Sequence, residues 1–105
     1  MKLMTKELET KFPAIYANEE KEAKDILIIA KFFCPWSNWT WYATEYDQEN
    51  GQFFGFVRGI ENELGYFSLE ELESVHGPFG LGIERDLYFG VHTEFFSEFD
   101  LKLVA

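Results

Sequence analysis

Two pairs of carboxylates stand close enough along this chain to act together. Glu61 and Glu63 flank Asn62, and Glu84 and Asp86 flank Arg85. Paired acids can share general acid–base work or hold a divalent cation. Two arginines fall in phase with apolar residues: Arg58 with Phe54 and Phe56, and Arg85 with Ile83, Leu87 and Phe89. The two-residue period of a strand puts both on the apolar side, where an unpaired charge costs several kcal/mol. Glu45 is the expected ion-pair partner of Arg58, and Glu61 or Glu63 that of Arg85. The functional alternative is an anion-recognising arginine in a pocket.

Other chemistries find no support. His76, His92 and Cys34 are too widely spaced to form a metal-ligand motif, so no metal is expected. Cys34 closes an apolar run just before Pro35, where an inert buried thiol is the default. Neither a phosphate-cradling loop nor a nucleophile elbow occurs. Gly77, Gly80 and Gly82 follow a helix rather than open one, which suits turns better than phosphate binding. No cofactor is expected.

The chain has 105 residues and a net charge of -10. Six lysines and six acids cancel within residues 1–31, so the whole net charge falls on residues 32–105. Such a field repels phosphates, which argues against direct nucleic-acid binding and leaves a basic protein partner open. No apolar run approaches the roughly 18 residues of a membrane span, and the N-terminus lacks a signal-peptide stretch. With one cysteine and no internal disulfide, a cytoplasmic location is expected.

The elements that must position these residues can be read from pattern. Thr5 is a candidate N-cap for a short helix near residues 5–12, ended by Pro13. Residues 17–24 are charged and expected to be exposed. The run from Ile26 to Phe33 lacks alternation and predicts a strand buried on both faces. A second strand begins near Asn38, and Asn50-Gly51 predicts a two-residue hairpin turn. That turn pairs Glu49 with Gln52 and sets Phe56 opposite Glu45. Trp39, Trp41, Phe54, Phe56 and Ile60 are then assigned to the core. Tyr42 and Tyr46, beside Gly55 and Gly59, line a grooved outer face. A short strand follows at Leu64–Phe67. Ser68 and Glu71 match a capping box for a helix with Leu69, Leu72 and Val75 inward, stopped by Gly77-Pro78. A last strand is expected over Ile83–Phe89.

Twenty aromatic residues, 19% of the chain, exceed what one small core encloses comfortably, since each ring buries about 150–250 Å². Tyr42, Tyr46, Phe95, Phe96 and Phe99 are expected to be partly exposed. The segment 90–105 reads as a tail that docks on its own domain or supports weak dimerisation.

Three separated blocks carry a family resemblance: Ser37–Asp47, Gly59–Ser68 and Gly80–Leu87. Together with Met1–Tyr16 they resemble domain-of-unknown-function family 2958, in order over residues 1–89. The resemblance implies a small bacterial protein or module, often encoded on plasmids, phages and conjugative elements. It carries over no catalytic or binding residues. The segment from Gly90 departs from the family's usual short polar ending.

The fold expected over residues 1–105 is a single α+β domain, with a twisted, mainly antiparallel sheet of four to five strands and two short helices. The expected function is that of a non-enzymatic accessory protein of a mobile element. It would contact a protein partner, possibly basic, through an acidic, aromatic-rich surface, one version being mimicry of nucleic acid. Neither membrane nor nucleic acid is an expected partner. The alternative is a small enzyme or ligand-binding domain built on the carboxylate–arginine pocket. Tyr42, Tyr46, Glu61, Glu63, Glu84, Arg85 and Asp86 are the candidate binding residues, and Glu45–Arg58 is the candidate ion pair.

Overall fold

In the computed structural model, which describes residues 2–22 and 25–89, Thr5 takes extended backbone and its hydroxyl accepts the Leu8 amide at 3.0 Å. That bond satisfies one of the free amides at a helix start and begins α1 (Lys6–Glu9), a single turn that buries Leu8. The segment 90–105, with Phe95, Phe96 and Phe99, lies outside the described residues.

Five strands follow: β1 (Ala30–Phe33), β2 (Thr40–Asp47), β3 (Gln52–Arg58), β4 (Asn62–Ser68) and β5 (Glu84–Arg85). They form one sheet in the order β4-β3-β2-β1-β5, with every neighbouring pair antiparallel. Ser68 caps α2 (Leu69–Ser74) by accepting the Glu71 amide at 2.9 Å, as the capping box predicts. The chain leaves α2 at Val75, whose extended backbone ends the helix and which is 37% exposed. A turn of 3-10 helix at Pro78–Gly80 leads into β5. This is the expected α+β architecture, and among the described residues no helix is long and apolar enough to cross a membrane.

Only the second half of the Ile26–Phe33 run forms the expected strand, β1 starting at Ala30, but the run contributes to both faces of the sheet. Ile29, Ala30 and Phe32 enter the main core, whereas Ile28 enters a smaller cluster with Tyr42 and Phe56 on the opposite face. The main core joins Phe32, Tyr46, Phe53, Val57 and Phe67 to Leu3, Met4 and Leu8 of the N-terminal segment and Leu72 of α2. Phe53 lies at its centre, with ring centroids 4.6 Å from Tyr46 and 5.3 Å from both Phe32 and Phe67.

The hairpin departs from its expected register. Asp47, not Glu49, pairs with Gln52. The four-residue loop is built on Asp47, whose carboxylate accepts the Glu49 amide and the Asn50 side chain at 3.0 and 2.7 Å. Gly51 still supplies the left-handed backbone, at φ 64°. The ladder then shifts by one residue between Ala43 and Glu45. Together these changes move the strands by an odd number of residues, which exchanges the faces of β3. Phe53, Gly55 and Val57 face the main core in place of Phe54 and Phe56. Phe56 is buried on the other side, Phe54 is half-buried there, and Ile60 is exposed in the turn. The last strand is also shorter than expected: β5 ends at Arg85, and Leu87 and Tyr88 are exposed in a turn.

Candidate functional site

The site begins at the β2 irregularity. Thr44 sits where the ladder shifts, and its hydroxyl donates to the Phe54 carbonyl at 3.0 Å. A residue inserted into a strand reverses the facing of everything beyond it. Ala43 therefore faces the main core while Glu45, two residues on, turns to the outer face opposite Phe54.

Glu45 is a buried carboxylate, 4% exposed. Its Oε1 accepts the Tyr16 amide at 2.9 Å and its Oε2 the Asn18 amide at 3.0 Å. Charge-assisted bonds of this kind offset part of the cost of burying the charge. They also explain the path of residues 13–21. The Pro13 carbonyl accepts the Tyr46 amide at 3.0 Å, and tight turns then bring the Tyr16 and Asn18 amides onto Glu45. Tyr16 adopts φ 73°, a left-handed conformation uncommon for a bulky residue, which its bond to Glu45 helps to hold.

Between this loop and β4 lies a cleft of about 320 Å³. Its walls are Tyr16, Ile26, Phe54, Leu64 and Tyr66; Glu45, Thr44 and Asn18 close its base, and Glu19 and Lys21 stand at its rim. Phe54 and Tyr66 meet edge-on with centroids 5.1 Å apart. A side-chain hydrogen bond with Tyr16 raises the Tyr66 phenol above its ordinary pKa, with partial desolvation and the charges of Glu45 and Glu19 adding to the effect. Asn18 is 7% exposed, and its Nδ2 has no hydrogen-bond partner among the described residues.

The candidate residues read from sequence are distributed differently. Tyr42 and Tyr46 do not line an outer groove, because both are buried, at 4% and 6% exposure. Tyr42 packs edge-on against Phe56 with Lys31 and Arg58 over its ring, and Tyr46 packs on Phe53 and Phe12. Glu45 and Arg58 are not ladder neighbours: Glu45 lies opposite Phe54 and Arg58 opposite Thr40, four residues further along β3. The Glu45 carboxylate is taken by backbone amides instead, while the Arg58 guanidinium lies over Tyr42 and Phe56 at 5.7 and 5.5 Å.

The carboxylate–arginine pocket does not assemble. Glu61 and Glu63 are exposed at the β4 end of the sheet, whereas Glu84, Arg85 and Asp86 lie at the β5 end. Four strand spacings separate these edges, about 19 Å. Arg85 pairs with Phe32 in the ladder, and Asp86 meets Lys31 at 3.9 Å. Among the described residues, no three His, Cys, Asp or Glu side chains group as a metal site.

The sequence reading passed over Tyr16, Asn18 and Tyr66. Asn18 carried the one available signal, a polar residue without charge in a stretch otherwise rich in charge. No curated protein and no solved structure matches the chain. The family described as "Protein of unknown function (DUF2958)" matches residues 3–100, which extends the resemblance eleven residues past Phe89. This chain belongs to the DUF2958 family.

Proposed function

We propose that this protein is a non-enzymatic binding module, of the kind carried by bacterial mobile elements, that docks a basic segment of a partner protein along β4. One observation carries the reading: the β4 edge and the adjoining loop expose both the apolar side chains Leu64, Tyr66 and Tyr16 and the carboxylates Glu61, Glu63 and Glu19. Apolar side chains together with carboxylates suit a partner strand that alternates apolar and basic residues.

The outer edge of β4 meets no other strand among the described residues and offers its backbone groups for strand addition. A second copy is a poorer occupant, because pairing two such edges brings like charges together. Mimicry of nucleic acid is the version in which the partner's basic surface normally holds DNA or RNA.

The test is a calorimetric titration with a strand-forming peptide that alternates valine and lysine, against the same peptide carrying glutamate for lysine. Binding of the basic peptide alone, weakening steeply as salt rises, is the expected result. Equal binding of both peptides, or affinity indifferent to salt, overturns the reading.

A further inference from the structure

Glu45 poses a problem of charge balance that the fold leaves open. It is almost fully buried, yet among the described residues no lysine or arginine lies within ion-pair distance. Two backbone amides hold it, one on each oxygen. A carboxylate offers about four acceptor positions, so each oxygen retains one. Over them stands an open cleft whose walls are apolar and aromatic: Ile26, Phe54, Leu64, Tyr66 and Tyr16.

We propose that this cleft recognises a guanidinium carried on an apolar stem, with Glu45 as the anchoring carboxylate. The planar fork of a guanidinium delivers two parallel N–H donors, matching one free position on each carboxylate oxygen. An ammonium is a compact, strongly hydrated point charge with no such match. The methylene stem lies along Leu64 and Ile26, and the cationic head meets the faces of the tyrosine rings. The rim carboxylate of Glu19 adds to the attraction, whereas Lys21 opposes a cation and restricts approach to the β4 side. This inference deepens the reading of β4 as a docking edge, under which the guanidinium belongs to an arginine of the added strand. The same chemistry is available from a free alkylguanidine.

The experiment uses the full chain, labelled with 15N, titrated with n-butylguanidinium and with its neutral isostere n-butylurea. The expected result is saturable shifts of the Ile26, Thr44 and Phe54 amides with the cation, at a Kd near about 1 mM. Butylurea should bind at least about tenfold more weakly. Glu45→Gln should abolish the response. Because that change also disturbs the Tyr16–Asn18 loop, Leu64→Arg serves as an independent probe: it keeps Glu45 and fills the cleft from an exposed wall position. Equal binding of the two ligands, no response at about 10 mM, or an undiminished response in Leu64→Arg each overturns the proposal.

A valine–arginine peptide separates the two claims. Shifts confined to β4 amides uphold strand docking and refute the cleft. Butylguanidinium binding in the cleft, with no response to any basic peptide, upholds the guanidinium site and refutes strand docking.

Discussion

Glu45 reaches back across 29 residues of sequence to accept the Tyr16 amide at 2.9 Å, so that a sheet carboxylate fixes the course of the N-terminal loop. The bond does structural work whatever occupies the cleft. Glu45→Ala leaves the Tyr16 and Asn18 amides without acceptors, and each buried orphan costs about 1–3 kcal/mol. Urea unfolding should show a loss of about 2–4 kcal/mol. Glu45→Gln, which keeps one carbonyl oxygen, should fall between that variant and the parent chain.

Gly55 and Gly65 face one another in the β3–β4 ladder but answer oppositely to a methyl group. A Cβ on Gly55 would collide with the Tyr42 carbonyl and press on the Ala43 backbone, neither of which can move freely within the sheet. A Cβ on Gly65 meets nothing within 4 Å. Gly55→Ala should therefore cost upwards of about 2 kcal/mol, whereas Gly65→Ala should be neutral or slightly stabilising. Paired thermal melts of the two variants check this directly.

Alkaline pH should weaken the fold through Tyr46. Burial, together with the charges of Glu9, Glu73 and Asp47, raises its phenol above the ordinary value of 10.0. The folded state then holds the proton more tightly than the unfolded chain. That contribution is complete below pH 10 and is lost as pH rises from there through the raised value. Tyr46→Phe should flatten the decline in stability above pH 10, leaving the share expected from Tyr66, which is shifted in the same direction.

Ile60 is 92% exposed, although its type and its phase along β3 assign it to the core. Ile60→Ser should leave the melting temperature nearly unchanged, within about 0.5 kcal/mol of stability. A large loss would refute the exposed placement of Ile60.

The elements themselves were written plainly in the sequence; the face each presents was not. Ser68 and Glu71 announce α2 because a cap depends on a few neighbouring residues, and the Ile26–Phe33 run announces an interior strand because both its faces are apolar, although only Ala30–Phe33 takes strand geometry. The hairpin is different. Asn50-Gly51 marks the turn correctly, but the loop also recruits Asp47, whose side chain substitutes for ladder hydrogen bonds. The irregularity at Thr44 then adds one more residue of shift. Neither event changes composition or hydrophobicity, so a reading by strict alternation places Tyr46 outside and Phe54 inside; Tyr42 does stand on the face opposite the main core, where Ile28 and Phe56 bury it.

The cleft was hidden for the same reason. It joins a loop near residue 16, a strand near residue 45 and an edge strand near residue 66, and only the register determines that Glu45 turns toward the other two. The Glu61, Glu63, Glu84, Arg85 and Asp86 set failed because proximity along the chain says nothing about which edge of a sheet a strand occupies.

The two ends of that sheet are unequal. β4 offers seven residues, and β5 only two before the chain turns away at Leu87. A sheet with two long open edges can recruit strands at both ends and grow into a fibre, whereas one so lopsided can be extended on one side and then stops. Among the described residues the sheet thus has one long edge, and an assembly that used it would extend the sheet on the β4 side alone.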